Sequence, residues 1–134
     1  MDFRAFFEDV TAQNREKLPA YFCEEAVIRC HCTDEQFTLA EYIRANCDYP
    51  GRWRGKIEKL LVSGDTAVLA GRVFPEAGSP SFHVVSLIRL KNGRISELDE
   101  YWADDGPPPA WRRGMHIGQP IREGESGCQP EETR

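Results

Sequence analysis

The chain has 134 residues, 40% of them hydrophobic and 29% charged, with a formal net charge of -5. That size supports one domain with its own core, and the balance excludes a disordered chain; dispersed Asp and Glu with no basic stripe argue against a nucleic-acid partner. The sequence turns amphipathic at Met1 with no apolar run of signal-peptide or membrane-span length, so a cytoplasmic location and no membrane partner are expected, and the five cysteines are expected as free thiols.

Phe3, Phe6, Phe7 and Val10 recur at i, i+3, i+4 and i+7, which places them on one face of a first helix. A short second helix is expected over Lys17 to Phe22, followed by a strand over Val27 to Cys32. Thr38-Leu39-Ala40-Glu41 is a capping box that starts a third helix, and Tyr49-Pro50-Gly51 ends it after Asp48. Four strands follow: Trp53 to Val62, Ala67 to Phe74, Phe82 to Leu90 and Ile95 to Trp102. Asn92-Gly93 between the last two tolerates the positive φ of a tight hairpin turn, making those strands antiparallel neighbours. Three helices and a mostly antiparallel sheet make an α+β domain. Gly106-Pro107-Pro108-Pro109 then imposes an extended path, and the polar tail is expected to be disordered from about residue 123.

This element order, with Leu18-Pro19-Ala20-Tyr21-Phe22 leading to Glu25-Ala26-Val27-Ile28, Phe37-Thr38 to Ile43, and Gly93-Arg94-Ile95-Ser96-Glu97-Leu98 ending in Tyr101-Trp102, resembles the SnoaL-like and ketosteroid-isomerase-like superfamily. Asn46 to Gly51, Trp53, Ser81-Phe82-His83 and Glu100 to Gly106 are similar to bacterial members described only as nuclear-transport-factor-2-like. The resemblance implies a cystatin-like cone: three N-terminal helices packed on a curved sheet that encloses one pocket. It implies a domain over residues 1–112, with 113–134 as an extension, and a homodimer through the outer sheet face.

Matching Tyr101-Trp102 to the end of the isomerase's last strand turns Leu98, Glu100 and Trp102 toward the pocket. Glu100 is then a carboxylate among apolar neighbours, where lost hydration raises the pKa and suits a general acid or base; the plainer alternative is an ion pair with an arginine at the mouth. Trp53 and Trp102 are expected as pocket wall, with Asn46 and Tyr49 at the mouth. The isomerase's own catalytic positions fall on Cys30, Ser86 and Phe6, so its constellation is not expected here. His83 is placed with Val85 and Leu87 on the outer face unless a bulge turns it inward, where it would be a second catalytic candidate. Asp104 and Asp105 read as a solvated turn. Cys30-His31-Cys32 with Cys47 lacks metal-site spacing, and strand alternation separates His31 from the two thiols, so no metal is expected.

Two readings follow. One is a pocket protein that binds a small, largely apolar molecule, with cofactor-independent acid/base chemistry of the isomerase, cyclase or hydratase type. The other is a non-catalytic dimeric ligand-binding or interaction module. No phosphate loop, nucleophile elbow or metal motif is present in the sequence, so no cofactor is expected.

Overall fold

The computed structural model describes residues 1–78 and 80–121; the tail expected to be disordered lies outside them. Helix α1 (Phe3–Thr11) starts at Asp2, whose carboxylate accepts the Ala5 amide, and buries Phe3, Phe6, Phe7 and Val10. The expected second helix is a four-residue 3-10 turn, Leu18–Tyr21, because Pro19 sits in its first turn and Phe22 is already extended. Strand β1 (Phe22–Cys30) therefore begins five residues before the position expected from the apolar pattern. Glu24 and Glu25 are exposed, and they interrupt the pattern that would have revealed its start.

The same strand ends two residues early. His31–Thr33 is a 3-10 turn closed by Asp34 in the left-handed region (φ 56), and it leads into a three-residue strand β2 (Glu35–Phe37) that sequence periodicity could not reveal. Helix α2 (Leu39–Cys47) carries the full capping box: Glu41 N donates to Thr38 Oγ1 at 3.2 Å, and Thr38 N donates to Glu41 Oε1 at 2.9 Å. Strands β3 (Trp53–Ser63), β4 (Thr66–Pro75), β5 (Phe82–Lys91) and β6 (Arg94–Asp104) follow, with a short α3 (Ala110–Arg113) after the prolines. Asn92 (φ 53) and Gly93 (φ 80) form the tight β5–β6 turn.

The sheet order is β2-β1-β6-β5-β4-β3, antiparallel throughout except for the β1–β6 pair. Alternation gives it one buried face, carrying Leu69 and Val73 of β4, Val84 and Ile88 of β5, Leu98 of β6 and Ile28 of β1. Helix α1 can settle on β3 and β4 because Gly55 and Gly71 lie beneath Phe7. A Cβ on either would come within 2.6 to 2.7 Å of the Phe7 ring. The result is a cone whose narrow part is filled by this core and whose wide part stays open. No described helix is long and apolar enough to cross a membrane.

Candidate functional site

A cavity of about 640 Å³ occupies the open part of the cone, between the C-terminal ends of α1 and α2 and the inner sheet face. That volume suits a small organic molecule. A shallower depression of about 430 Å³ runs along β2 and α2, lined by Glu35, Glu41, Arg44 and Asp48 among others; it is polar and does not reach the buried acid described next.

Glu100 sits in the cavity lining and is 3% exposed. Trp102 Nε1 donates to its Oε1 at 3.0 Å and Ser86 Oγ donates to its Oε2 at 3.2 Å. Both donors follow from register: Trp102 lies two residues along the same strand face, and Ser86 is the Cα partner of Glu100 across the β5–β6 ladder. Burial pushes the carboxyl upward, and the two hydrogen bonds pull it back. The expected alternative of an arginine partner is not what the structure shows; a hydroxyl and an indole hold the acid. Cys30, opposite Glu100 on β1, is half-buried, and burial together with the Glu100 charge pushes its thiol up to about 12, which leaves it unreactive.

The cavity wall is aromatic. Tyr49 and Trp53 have ring centroids 5.6 Å apart, Trp53 and Phe82 5.6 Å, and Phe82 and Trp102 6.2 Å. Trp53 Nε1 donates to Pro50 O, which fixes the indole after the α2 turn. Asn46 lines the cavity, but its amide is committed to structure: Nδ2 donates to Val10 O at 3.0 Å, while Gln13 Nε2 donates to Asn46 O and Tyr49 O. These amides clamp the ends of α1 and α2 and so hold the lip.

Other expected residues lie elsewhere. Leu98 is not in the lining; it is fully buried core beneath the cavity, one inward position too deep on β6. Ser86 reaches the cavity only through Glu100. His83 stays on the outer face with Val85 and Leu87, because β5 pairs with β4 in unbroken register there, so it is not an acid or base for this cavity. Its Nε2 lies 3.3 Å from Asp105 Oδ1.

Asp105 is no solvated turn residue. Arg72 Nη2 donates to it at 2.8 Å and Ser81 Oγ at 3.0 Å, and the Arg72 and His83 bonds hold its carboxyl down at about 2 against the opposing effect of burial. Asp104, its neighbour, lines the cavity. His31 stacks on Tyr101 at 4.6 Å and meets Asp99 at 2.7 Å on the outer face, because the chain has left the strand; Cys30 and Cys32 line the cavity on the other side. Among the described residues, no three His, Cys, Asp or Glu side chains form a metal-holding group.

Sequence reading missed Phe82 and Tyr42. Phe82 shares the alternation of Val84 and Ser86 and could have been found from it; Tyr42, beside Ile43 on the buried helix face, looks like ordinary core.

A comparison with curated protein sequences returns no significant match. Among solved structures, a proposed ketosteroid isomerase from Kribbella flavida is 24% identical, with a TM-score of 0.74 over 89% of this chain and 87% of that one. A nuclear-transport-factor-2-like protein of unknown function from Mesorhizobium loti is 27% identical, with a TM-score of 0.61 over 78% and 88%. A proposed SnoaL-like polyketide cyclase from Jannaschia sp. is 16% identical, with a TM-score of 0.64 over 75% and 81%. These likenesses agree with the cone built above, and the SnoaL-like domain profile matches residues 3–98. The chain belongs to the SnoaL-like domain family.

Proposed function

We propose that the chain binds a small, largely apolar molecule in this cavity and acts on it by cofactor-independent acid/base chemistry through Glu100, of the isomerase, cyclase or hydratase type. The observation that carries the reading is a buried carboxylate set in the lining of a cavity with a largely aromatic wall. Such an acid holds its proton to higher pH than a solvated one, which suits proton exchange with a bound ligand. Relatives described as isomerase and cyclase are in keeping with this chemistry. The test is a thermal-shift screen against steroid-like, polycyclic aromatic, terpenoid and fatty-acid compounds. A saturable rise in Tm that Trp102→Ala removes supports the pocket. Turnover of the compound that binds, kept on mutation to Glu100→Gln, would exclude the acid/base role.

A second reading is favoured by the outer sheet face, where Leu61, Val68, Val85 and Leu87 are exposed and Leu61, Val68 and Leu87 are successive partners across β3, β4 and β5. We propose that this apolar stripe pairs with a second copy of the chain. Leu87→Asp should then turn a dimer into a monomer in sedimentation equilibrium. A wild type that sediments as a monomer at every concentration would remove the idea. The unpaired thiols of Cys23, Cys30, Cys32 and Cys47 are in keeping with a cytoplasmic location.

A further inference from the structure

The described lining offers a ligand acceptors and ring faces, while its indole and amide donors are spent on the protein. Trp102 Nε1 donates to Glu100, Trp53 Nε1 to Pro50 O, the Gln13 amide to Asn46 O and Tyr49 O, and the Asn46 amide to Val10 O. The Tyr42 hydroxyl has no hydrogen-bond partner among the described residues, but it is sealed from solvent and offers a ligand nothing. The wall rings are not stacked flat. Phe82 meets Tyr49 at 76° and Trp102 at 80°, so the wall presents ring faces in more than one direction.

The lining also has a one-sided charge. Glu35, Glu100 and Asp104 contribute carboxylates, and no Lys, Arg or His is among the described lining residues. The strands set these carboxylates around the rings. Glu100, Trp102 and Asp104 alternate along one face of β6, so a carboxylate residue lies roughly 7 Å along the strand on either side of the indole, and Phe82 is the partner of Asp104 across the β5–β6 ladder. Glu35 reaches the same end from β2, because Cys30 pairs with both Glu35 and Glu100, and the two charges act together on the Cys30 thiol. Glu100 is buried, and both of its hydrogen-bond partners are neutral. A buried charge without a counter-charge is expensive. A bound anion would add to that expense, and a bound cation would relieve it.

We propose that the cavity takes a tertiary or quaternary ammonium on an apolar frame, with its alkyl groups against the Trp53, Phe82 and Trp102 rings and with Glu100 and Asp104 as its counter-charges. A cation is drawn to the negative face of an aromatic ring, to that of Trp most strongly. An ammonium carrying three or four alkyl groups brings at most one N–H, which a carboxylate can accept; a primary ammonium would bring three, and an apolar wall would leave most of them unmet. Glu35 and Asp104 are exposed, so the mouth attracts a cation before the buried Glu100 meets it. This rests on the ligand-binding reading above and adds the charge of the ligand's polar end.

The test uses three probes of similar shape and different charge, benzyltrimethylammonium, neopentylbenzene and benzylsulfonate, with binding to the full chain read by tryptophan fluorescence and thermal shift. The wild type should bind the ammonium about tenfold or more tighter than neopentylbenzene, the size expected of a desolvated cation on aromatic faces, and should bind the sulfonate most weakly. Asp104→Asn and Glu100→Gln should each cut the preference for ammonium over hydrocarbon by roughly threefold or more while leaving the hydrocarbon's affinity unchanged. Asp104 is exposed at the rim, so its variant keeps the test open if the buried Glu100 variant folds poorly. Wild-type affinity for neopentylbenzene that equals or exceeds that for the ammonium, sulfonate binding as tight as ammonium binding, or a preference that neither variant reduces would each overturn the proposal while leaving the pocket intact. No binding of any probe would bring down the ligand-binding reading and this proposal with it.

Discussion

Asp105→Asn is the most quantitative perturbation the structure offers. The carboxylate ties the end of β6 to Arg72 of β4 and His83 of β5, with Ser81 beside them, and it is held from its ordinary 3.8 down to about 2. Its side chain is 19% exposed and that of Arg72 3%, so solvent screening takes only part of the effect. At about 1.4 kcal/mol per pH unit, a fall of this size corresponds to roughly 2 kcal/mol of stability at neutral pH. Because the folded value lies below the unfolded one, that stability is fully present above about pH 4 to 5 and is lost as the pH falls toward 2. About half should be gone at pH 3 by the same linkage. Urea denaturation of wild type and Asp105→Asn at intervals from pH 3 to 7 measures the gap directly. The gap should be widest at the neutral end and shrink on acidification. A gap that stays constant, or widens toward pH 3, would refute the claim that ionised Asp105 holds this corner.

Glu100 predicts the opposite slope. Its folded value is raised, so its cost is absent below about pH 4.5 and grows as the pH climbs through the raised value; wild type should lose stability relative to Glu100→Gln over that climb, and parallel pH profiles in chemical denaturation would count against it. Gly71→Ala places a Cβ 2.7 Å from Phe7 Cζ and 3.2 Å from the Lys56 carbonyl, and should destabilise by about 1–3 kcal/mol. Phe7→Leu should recover part of that loss, and a Gly71→Ala protein as stable as wild type would show that α1 does not rest on the sheet as described.

The elements that sequence made legible are those in which a local pattern and its partner agree. The α1 face, the capping box of α2, the Asn92-Gly93 turn and the last four strands, set off by turn residues, all came through within one or two residues. The errors cluster where the deciding contact is distant. The start of β1 depends on Phe22 pairing with Ile95, and β2 exists only because Phe37 meets Ile28. Inward direction on β6 was readable from period two, and that placed Glu100 and Trp102; depth along the cone was not, so Leu98 was expected one layer too high. Asp105 looked like a turn residue because its partners Arg72 and His83 lie more than twenty residues away. Tyr42 could not be singled out, since whether a buried hydroxyl is satisfied depends on every neighbour at once.

Strand β6 explains why the site and the corner clamp belong together. One strand presents Leu98, Glu100 and Trp102 inward to core and cavity, and Asp99 and Tyr101 outward to Arg29 and His31, before ending at Asp104, next to Asp105. With a period of two, a slip of one residue would exchange these sets and expel Glu100 from the cavity. The register is guarded on both sides: a two-residue hairpin turn followed by a one-residue shift at Ser96 sets β6 against β5, and the parallel β1 holds it from the other edge. Asp105 adds a charged stop just past the far end, where its hydrogen bonds to Arg72, His83 and Ser81 outweigh the cost of its partial burial. The expense of burying Glu100 is thus met by a strand held at its turn, along its neighbours and beyond its end, and this keeps the acid in the cavity instead of letting a shift of the sheet expel it.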